Sequence, residues 1–501
     1  MNLADRLRTS ASRLPDKAAL LAGSHELTYG ELDARADRAA AAFQAVGLAP
    51  GDRVALLLAN GPTFIEAFYG ALRAGLVVVP INTGFTAEEA AWILGDAGAR
   101  AVVASEVFRG VLDGVRQTMA SLETVVVAGA SDPPMGTSTW RQFVGRGDRP
   151  EPVEVGSDDL ALLGYTSGTT GRPKGAMLSH GNLLANQDQM AQTRLRLEER
   201  DVVLCVLPLF HIYALNVALA FAVSRGATVV LLERFDPLQT LQTIARHRVS
   251  VLVGAPPLYT ALVNTPGVED YDLASVRYAV SGAAPLPVSV LRRCRDELGL
   301  TVWEGYGLTE TAPVLTSMAM ADAVRPGSVG RPLPGVELRL SDERGRNVHA
   351  EDPGEVVVRG PIVFRGYWGQ ERATAEVLDE GWFHTGDVGL LVDGDLFLVD
   401  RKSDLILVSG FNVYPREVEE VLYRHPKVAE AAVVGTPHPY TGETVKAVVV
   451  LRDGQKATAD ELHAYCSRSL ARFKCPEVVK FAAALPHNAS GKVLRRRLRE
   501  P

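Results

Sequence analysis

Short apolar runs bounded by Gly and Asp turns alternate with longer stretches whose apolar residues recur at helical spacing, and this pattern runs through most of the chain. From Leu27-Thr28-Tyr29-Gly30-Glu31-Leu32 the chain enters an Ala-rich helix predicted over Asp33 to Val46. It turns at Gly51-Asp52-Arg53 and continues as a strand from Val54 to Leu58. A helix over Phe64 to Ala74 leads into Val77-Val78-Val79-Pro80-Ile81-Asn82, and the unit repeats as helix Ala87 to Ala97 and strand Ala101 to Val103. Strands that alternate with helices in this way build parallel α/β units. Leu160 to Leu163 reads as a buried strand ending in a loop, Asp236 to His247 as a helix, and Val249 to Val253 as the strand after it. Between them Ser179-His180-Gly181-Asn182 caps a helix running toward Gln192, with His180 as a cap or core partner.

A chain of 501 residues exceeds what one core organises, and its 47% hydrophobic content supports a large interior. A Pro/Gly/Asp-rich passage from Ala128 to Val155 is a connection, and Asp400-Arg401-Lys402-Ser403-Asp404 marks a boundary. Beyond it, Leu405 to Val408, a helix over Arg416 to Arg424, and strands near Ala431 to Val434 and Lys446 to Leu451 form a compact α+β module. The expected architecture is α/β, with a large N-terminal domain over 1–402 and a small C-terminal domain over 403–501. A net charge of -7 argues against general nucleic-acid binding. The opening residues, Met1 to Arg8, mix charged and apolar side chains, unlike a secretory signal, and no apolar run is long enough to cross a bilayer. Cys205, Cys294, Cys466 and Cys475 show no CxxC spacing and read as packed thiols in a reducing cytoplasm.

Candidate chemistry concentrates first in Tyr165-Thr166-Ser167-Gly168-Thr169-Thr170-Gly171-Arg172-Pro173-Lys174-Gly175. Its glycines permit close backbone approach, its hydroxyls and N–H groups can cradle a polyanion, and Lys174 adds a positive charge. No Gly-Lys-Ser/Thr closes the loop, so the P-loop fold is not implied. In Trp303-Glu304-Gly305-Tyr306-Gly307-Leu308-Thr309-Glu310, Tyr306 is an aromatic that can stack on a base, and Glu310 is a carboxylate that can hold Mg²⁺ against phosphate oxygens. His211, within Leu207 to Asn216, reads equally as a satisfied core histidine and as a site residue. Asp387, ending Gly381-Trp382-Phe383-His384-Thr385-Gly386-Asp387, is either a turn residue or an acceptor for sugar hydroxyls. Arg495, Arg496, Arg497 and Arg499 read as solvated surface charges.

These motifs, in this order and over nearly the whole chain, resemble the adenylate-forming superfamily of acyl-CoA synthetases, luciferases and peptide-synthetase adenylation domains. The similarity is closest to fatty-acyl-CoA and 4-coumarate-CoA ligases. The resemblance implies that the 165–175 loop, with Thr166, Ser167, Gly168, Thr169, Thr170 and Lys174, holds the phosphates of ATP. It implies that Gly282, Ala283, Ala284 and Pro285 receive adenine, with Glu304, Gly305 and Tyr306 beside them. Thr309 contacts the α-phosphate, and Glu310 shares Mg²⁺ with Thr166. Asp387 and Arg401 hold the ribose, and Lys492, in Pro486-His487-Asn488-Ala489-Ser490-Gly491-Lys492, is the adenylation lysine. His211, Tyr213, Val217 and Gly305 border the acid substrate. Segments around Asp352 to Glu355 and Val363 to Trp368 resemble a β-rich subdomain, and the small domain is expected to be mobile. It would turn about Ser403, where relatives more often carry Asp or Lys, and bring Gly410 to line a pantetheine tunnel.

The implied function is an AMP-forming acyl-CoA ligase. It would activate a medium- or long-chain fatty acid or an aryl acid through acyl-AMP, using ATP, Mg²⁺ and coenzyme A. Phe210-His211 lacks the aspartate that binds an amino-acid amine, and Gly305 stands where malonate-specific relatives carry arginine, so an uncharged monocarboxylic acid is expected. Two alternatives stand beside it: an acyl-AMP ligase loading carrier-protein phosphopantetheine, and a non-catalytic nucleotide-binding relative. The expected location is cytoplasmic, with peripheral membrane attachment left open.

Overall fold

The computed structural model describes the chain apart from residues 119–121, 131–134, 148, 167–171, 343, 349–351, 402–403, 410, 439, 489–490 and 500–501, and the side chains of 116–118. The expected calls on Ser167, Gly168, Thr169, Thr170, Ser403 and Gly410 lie outside the described residues, as does the 402/403 boundary.

The first α/β units form a seven-stranded sheet in which Arg53–Leu57 pairs in parallel with both Val77–Pro80 and Ala99–Ser105. The strand predicted to end in a loop extends over Leu160–Thr166 and is followed by Lys174–Ser179, which returns antiparallel with Thr166 opposite Lys174. Thr166 and Lys174, which flank the candidate phosphate loop in sequence, are therefore paired across two antiparallel strands. A nine-stranded sheet follows, its centre made of parallel strands Val202–Cys205, Val251–Gly254, Tyr278–Ser281 and Val302–Gly307. A five-stranded sheet includes Trp382–Val392 and Asp395–Arg401, and a second five-stranded sheet, around Val428–His438 and Gly442–Leu451, forms the smaller C-terminal domain.

Most predicted elements stand with shifted ends, and the shifts have local causes. The helix expected from Asp33 begins at Tyr29, because Thr28 and Glu31 form a reciprocal capping box. The strand expected from Val249 begins at Val251. Arg248 ends the preceding helix in the left-handed region, and the Val249 N–H still bonds back to the Ile244 carbonyl. Ser179 caps His180–Met190 as expected, and His180 is fully buried, its Nδ1 accepting from the Leu3 N–H at 3.0 Å. All four cysteines are buried and unpaired in the cores.

Helices Tyr29–Ala45 and Pro62–Arg73 cross at Gly70, where an added Cβ would lie 2.4 Å from the Ala39 Cβ and 3.0 Å from the Ala40 backbone nitrogen. Gly to Ala inside a helix ordinarily gains ~0.5–1 kcal/mol. Here overpacking against backbone wins, and Gly70→Ala is expected to destabilise the protein by ~1–3 kcal/mol, read by denaturant unfolding.

Candidate active site

A cavity of about 1160 Å³ opens where strands of the three large-domain sheets end and the small domain meets them. Carboxyl ends of parallel strands leave backbone groups and short loops facing a common crevice, so ligands collect there. Thr166 and Lys174 reach the wall from their paired strands, Thr309 and Glu310 from the turn after Val302–Gly307, Arg401 from the end of its strand, and Lys492 from the small domain.

Glu310 is held in place from several sides. The Tyr367 hydroxyl donates to its Oε1 at 3.0 Å, and its own carbonyl accepts from the Phe364 N–H at 2.8 Å. The turn that carries it is fixed from below. Asn216 Nδ2 donates to the Ala312 carbonyl at 2.8 Å, Asn186 Nδ2 to the Val314 carbonyl at 2.7 Å, and Gln187 Nε2 to Asn216 Oδ1 at 2.8 Å. Burial raises the Glu310 carboxyl above its ordinary range, with its backbone N–H and Tyr367 pulling the other way. A desolvated acid of this kind favours a cation. Among the described residues no three His, Cys, Asp or Glu side chains cluster to hold a metal. The fit is therefore to Mg²⁺ shared between one carboxylate, a hydroxyl such as Thr166 and ligand phosphates.

Gly164 permits the closest approach between the two motifs, since a Cβ there would meet the Thr309 Cγ2 at 2.6 Å. Lys174 lies 5.1 Å over the ring of Tyr367, which links its strand to the Glu310 support. Neither Tyr367 nor the Asn186-Gln187-Asn216 network was singled out from sequence. Tyr367 and Asn216 stand inside quoted motifs, yet nothing in their spacing shows which loop they would brace.

Asp387 accepts from the Tyr306 hydroxyl at 2.6 Å and pairs with Arg401 Nε at 3.0 Å. A carboxylate offers about four lone-pair sites, so two remain for a ligand. Tyr306 and Arg401 line the cavity, whereas Asp387, Glu304, Ala284 and Pro285 do not. Glu304 corrects an expectation. Side chains alternate along a strand, so it points away from the face of Gly305. It is buried and accepts from the Leu286 N–H at 3.0 Å, which anchors the 282–286 turn, and burial lifts its pKa to about 7. At Gly282 a Cβ would meet the Tyr213 ring at 3.0 Å, so the flat surface expected there is covered on one side by this protein's own aromatic.

His211 lines the cavity, and its Nδ1 accepts from the Tyr213 N–H at 3.3 Å, which assigns the proton of the neutral ring to Nε2. Burial, followed by the nearby Lys492 charge, lowers its pKa to about 4. It is therefore a neutral donor at physiological pH.

Lys492 follows Gly491, whose φ of +83° and close packing on Pro257 leave no room for a side chain; a Cβ there would meet the Pro257 Cγ at 2.9 Å. This contact seats the small domain's lysine loop on the large domain. Burial, reinforced by Arg401 and opposed by Asp387 and Asp404, lowers the Lys492 pKa to about 8. Three residues on, Arg495 donates to both Glu419 oxygens at 2.8 and 2.9 Å and approaches Asp400 at 3.5 Å. The Arg416 N–H donates to the other Asp400 oxygen at 3.1 Å. Arg495 is thus a half-buried, ion-paired anchor, not the solvated charge expected, and Arg496 and Arg497 edge the cavity. Glu419→Ala would remove the two-oxygen partner of Arg495 and leave it Asp400 at 3.5 Å, with an expected cost of ~1.5–3 kcal/mol, measurable as a fall in unfolding midpoint.

Residues 7–368 match the family model described as AMP-binding enzyme, and residues 417–492 match the AMP-binding enzyme C-terminal domain. The chain is 40% identical to a feruloyl-CoA synthase of Amycolatopsis sp, covering 97% of this chain and 96% of the relative. It is 36% identical to a long-chain-fatty-acid–CoA ligase of Bacillus subtilis (strain 168), covering 99% and 93%. A crystal structure of an anthranilate CoA ligase with anthranoyl-AMP superposes with a TM-score of 0.95 at 28% identity, covering 100% of this chain and 96% of that one. A chain matched by both domain models, with relatives along nearly its full length, belongs to the AMP-binding, adenylate-forming enzyme family.

Proposed function

We infer that this protein is an AMP-forming carboxylate–CoA ligase for an uncharged acid with an apolar tail. The observation that carries the reading is the seating of Lys492 in one cavity with Glu310, Thr166 and His211, whose lining also includes the apolar side chains Val203, Val217, Val251 and Val253.

A carboxylate resists attack by a thiol because oxide is a very poor leaving group. In the proposed reaction, a carboxylate oxygen attacks the α-phosphorus of ATP, the bond to the β-phosphate bridging oxygen breaks, and pyrophosphate leaves. The acyl-AMP formed then yields its acyl group to the thiol of CoA, with AMP as the leaving group. The obstacle in the first step is repulsion between two anions, so fixed positive charge and donors at the reacting atoms supply most of the catalysis. Lys492 offers an ammonium to the α-phosphate, and Thr309 a hydroxyl beside it. His211 donates Nε2–H to the acid without adding a net charge. Glu310 and Thr166 are suited to hold Mg²⁺, which would supply neutralisation of the phosphate oxygens. Tyr306 flanks the base, Arg401 faces the ribose with Asp387 behind it fixing both Arg401 and Tyr306, and Lys174 with the 167–171 loop receives pyrophosphate. In the second step the small domain turns about Ser403, withdraws Lys492 and brings Gly410 to the thiol's path.

Coenzyme A as acceptor is supported by the relatives, both named for CoA thioesters. The absence of a charged side chain where amine- or dicarboxylate-binding relatives place one, at Phe210-His211 and Gly305, supports an uncharged acid.

A panel of carboxylic acids with ATP and Mg²⁺, scored for AMP and pyrophosphate with CoA or with holo carrier protein, tests the reading. AMP release that yields acyl-CoA supports it, ADP formation sinks it, and transfer to carrier protein alone selects the other acceptor. Lys492→Ala is expected to lower acyl-AMP formation on the order of 10²-fold or more while leaving thioester formation from supplied acyl-AMP largely intact. Because Lys492 is charged below its pKa of about 8, adenylation should fall as pH rises through that value. A profile flat from pH 7 to 9, a window of about one unit on either side, would remove the lysine's charge from the mechanism.

A further inference from the structure

The apolar wall of the cavity has a definite length, set by strand register. Gly254 stands beside Ser281, Val253 beside both Val280 and Cys205, and Val251 beside both Tyr278 and Val203. Alternate residues of a strand share a face. Val253 and Val280 therefore form one rung of the cavity wall, and Val203, Val251 and Tyr278 form the next. Facing them is a stripe of Tyr213, Val217 and Phe221, spaced four apart along the π-helix Tyr213–Ala220 and the residue after it. Leu195 and Leu197 also line the cavity. No charged side chain belongs to these walls. From Gly282 to Tyr278 the strand advances four residues, ~13 Å. Zigzag carbon chains with bonds of ~1.5 Å fill such a length with roughly ten carbons.

Tyr278 at the far end is clamped. The Arg277 guanidinium lies 4.9 Å from its ring centroid and donates to both oxygens of Asp201, at 2.7 and 2.8 Å. The Asp201 side chain is 1% exposed and accepts in addition from Ser250 Oγ and the Glu198 N–H, each at 2.7 Å. Arg277 itself is 35% exposed, so the ring stands between the cavity and the surface.

We propose that Tyr278, fixed by Arg277 and Asp201, is the end-stop that sets the acyl chain length this enzyme accepts. Extended saturated acids of roughly eight to twelve carbons fit within the walls. Longer chains must displace the ring. The inference rests on the ligase reading above and adds to it the residue that selects among acids.

The test is pyrophosphate release from saturated acids of four to eighteen carbons, together with an aryl-propenoic acid. For the wild-type protein kcat/KM should peak in the middle of the series. Tyr278→Ala should open the end wall and raise kcat/KM for the sixteen-carbon acid on the order of tenfold, chiefly through KM. Asp201→Asn should shift the profile the same way by less, because it loosens the clamp without removing the ring. Val203→Phe acts in the opposite sense, lowering the ratio of twelve-carbon to four-carbon acid, and it reads the same wall should Tyr278→Ala fail to fold. An unchanged profile in a folded Tyr278→Ala, a wild-type preference for the eighteen-carbon acid, or a preference for the aryl acid over every alkanoate would overturn the end-stop while leaving the ligase reading intact. Absence of pyrophosphate from every acid would bring down both.

Discussion

The arrangement of the site depends on a buried carboxylate at the junction of the two domains. Asp400 sits at the end of the last strand before the small domain, out of water, and its two oxygens are approached by Arg495 and by the backbone of Arg416. A charge in that position is tolerable only if partners remain on it, because the desolvation cost returns in full when one is lost. Arg495 is in turn held bidentate by Glu419 and lies three residues beyond Lys492. Charge balance at the junction therefore fixes where the lysine loop can lie. Gly491 then lets that loop press onto Pro257 with no side chain between. The small domain's contribution to the cavity is thus a matter of electrostatics and close packing together.

Within the cavity, the same burial that carries this cost shifts the titratable groups of its lining in different directions. Desolvation lowers Lys492 and His211 and raises Glu310, so the ammonium is easily discharged, the imidazole stays neutral and the carboxylate favours a counter-ion. None of these side chains is unusual in kind. Their behaviour follows from being placed together where strands end and water is scarce.

Much of this was legible in the sequence, for stateable reasons. Alternating periods gave the α/β units, and the Gly-rich and Gly-Tyr-Gly motifs gave the loops, because local backbone demands leave local residue signatures. What escaped were relations across the chain. The resemblance sets Glu304 beside the nucleotide, yet strand alternation turns its side chain away. Arg495 was read as surface charge because a run of arginines near a terminus usually is, and only the fold brings Glu419 and Asp400 beneath it. Tyr367 stands 57 positions from Glu310 in sequence and a single hydrogen bond from it in space, and no sequence pattern pairs the two. The antiparallel pairing of Thr166 with Lys174 was missed for a simpler reason: a strand following the loop carries no sign of its direction.

One quiet feature bears on how such a protein survives its own chemistry. A mixed anhydride acylates any thiolate that reaches it, and the chain carries four cysteines. Each is enclosed in a core, and burial pushes Cys205, Cys294 and Cys466 to about 12 and Cys475 upward as well, so all stay protonated at neutral pH. An activated acyl group formed in the crevice would meet no competing sulfur from the protein itself, and self-modification is avoided by the packing of the cores.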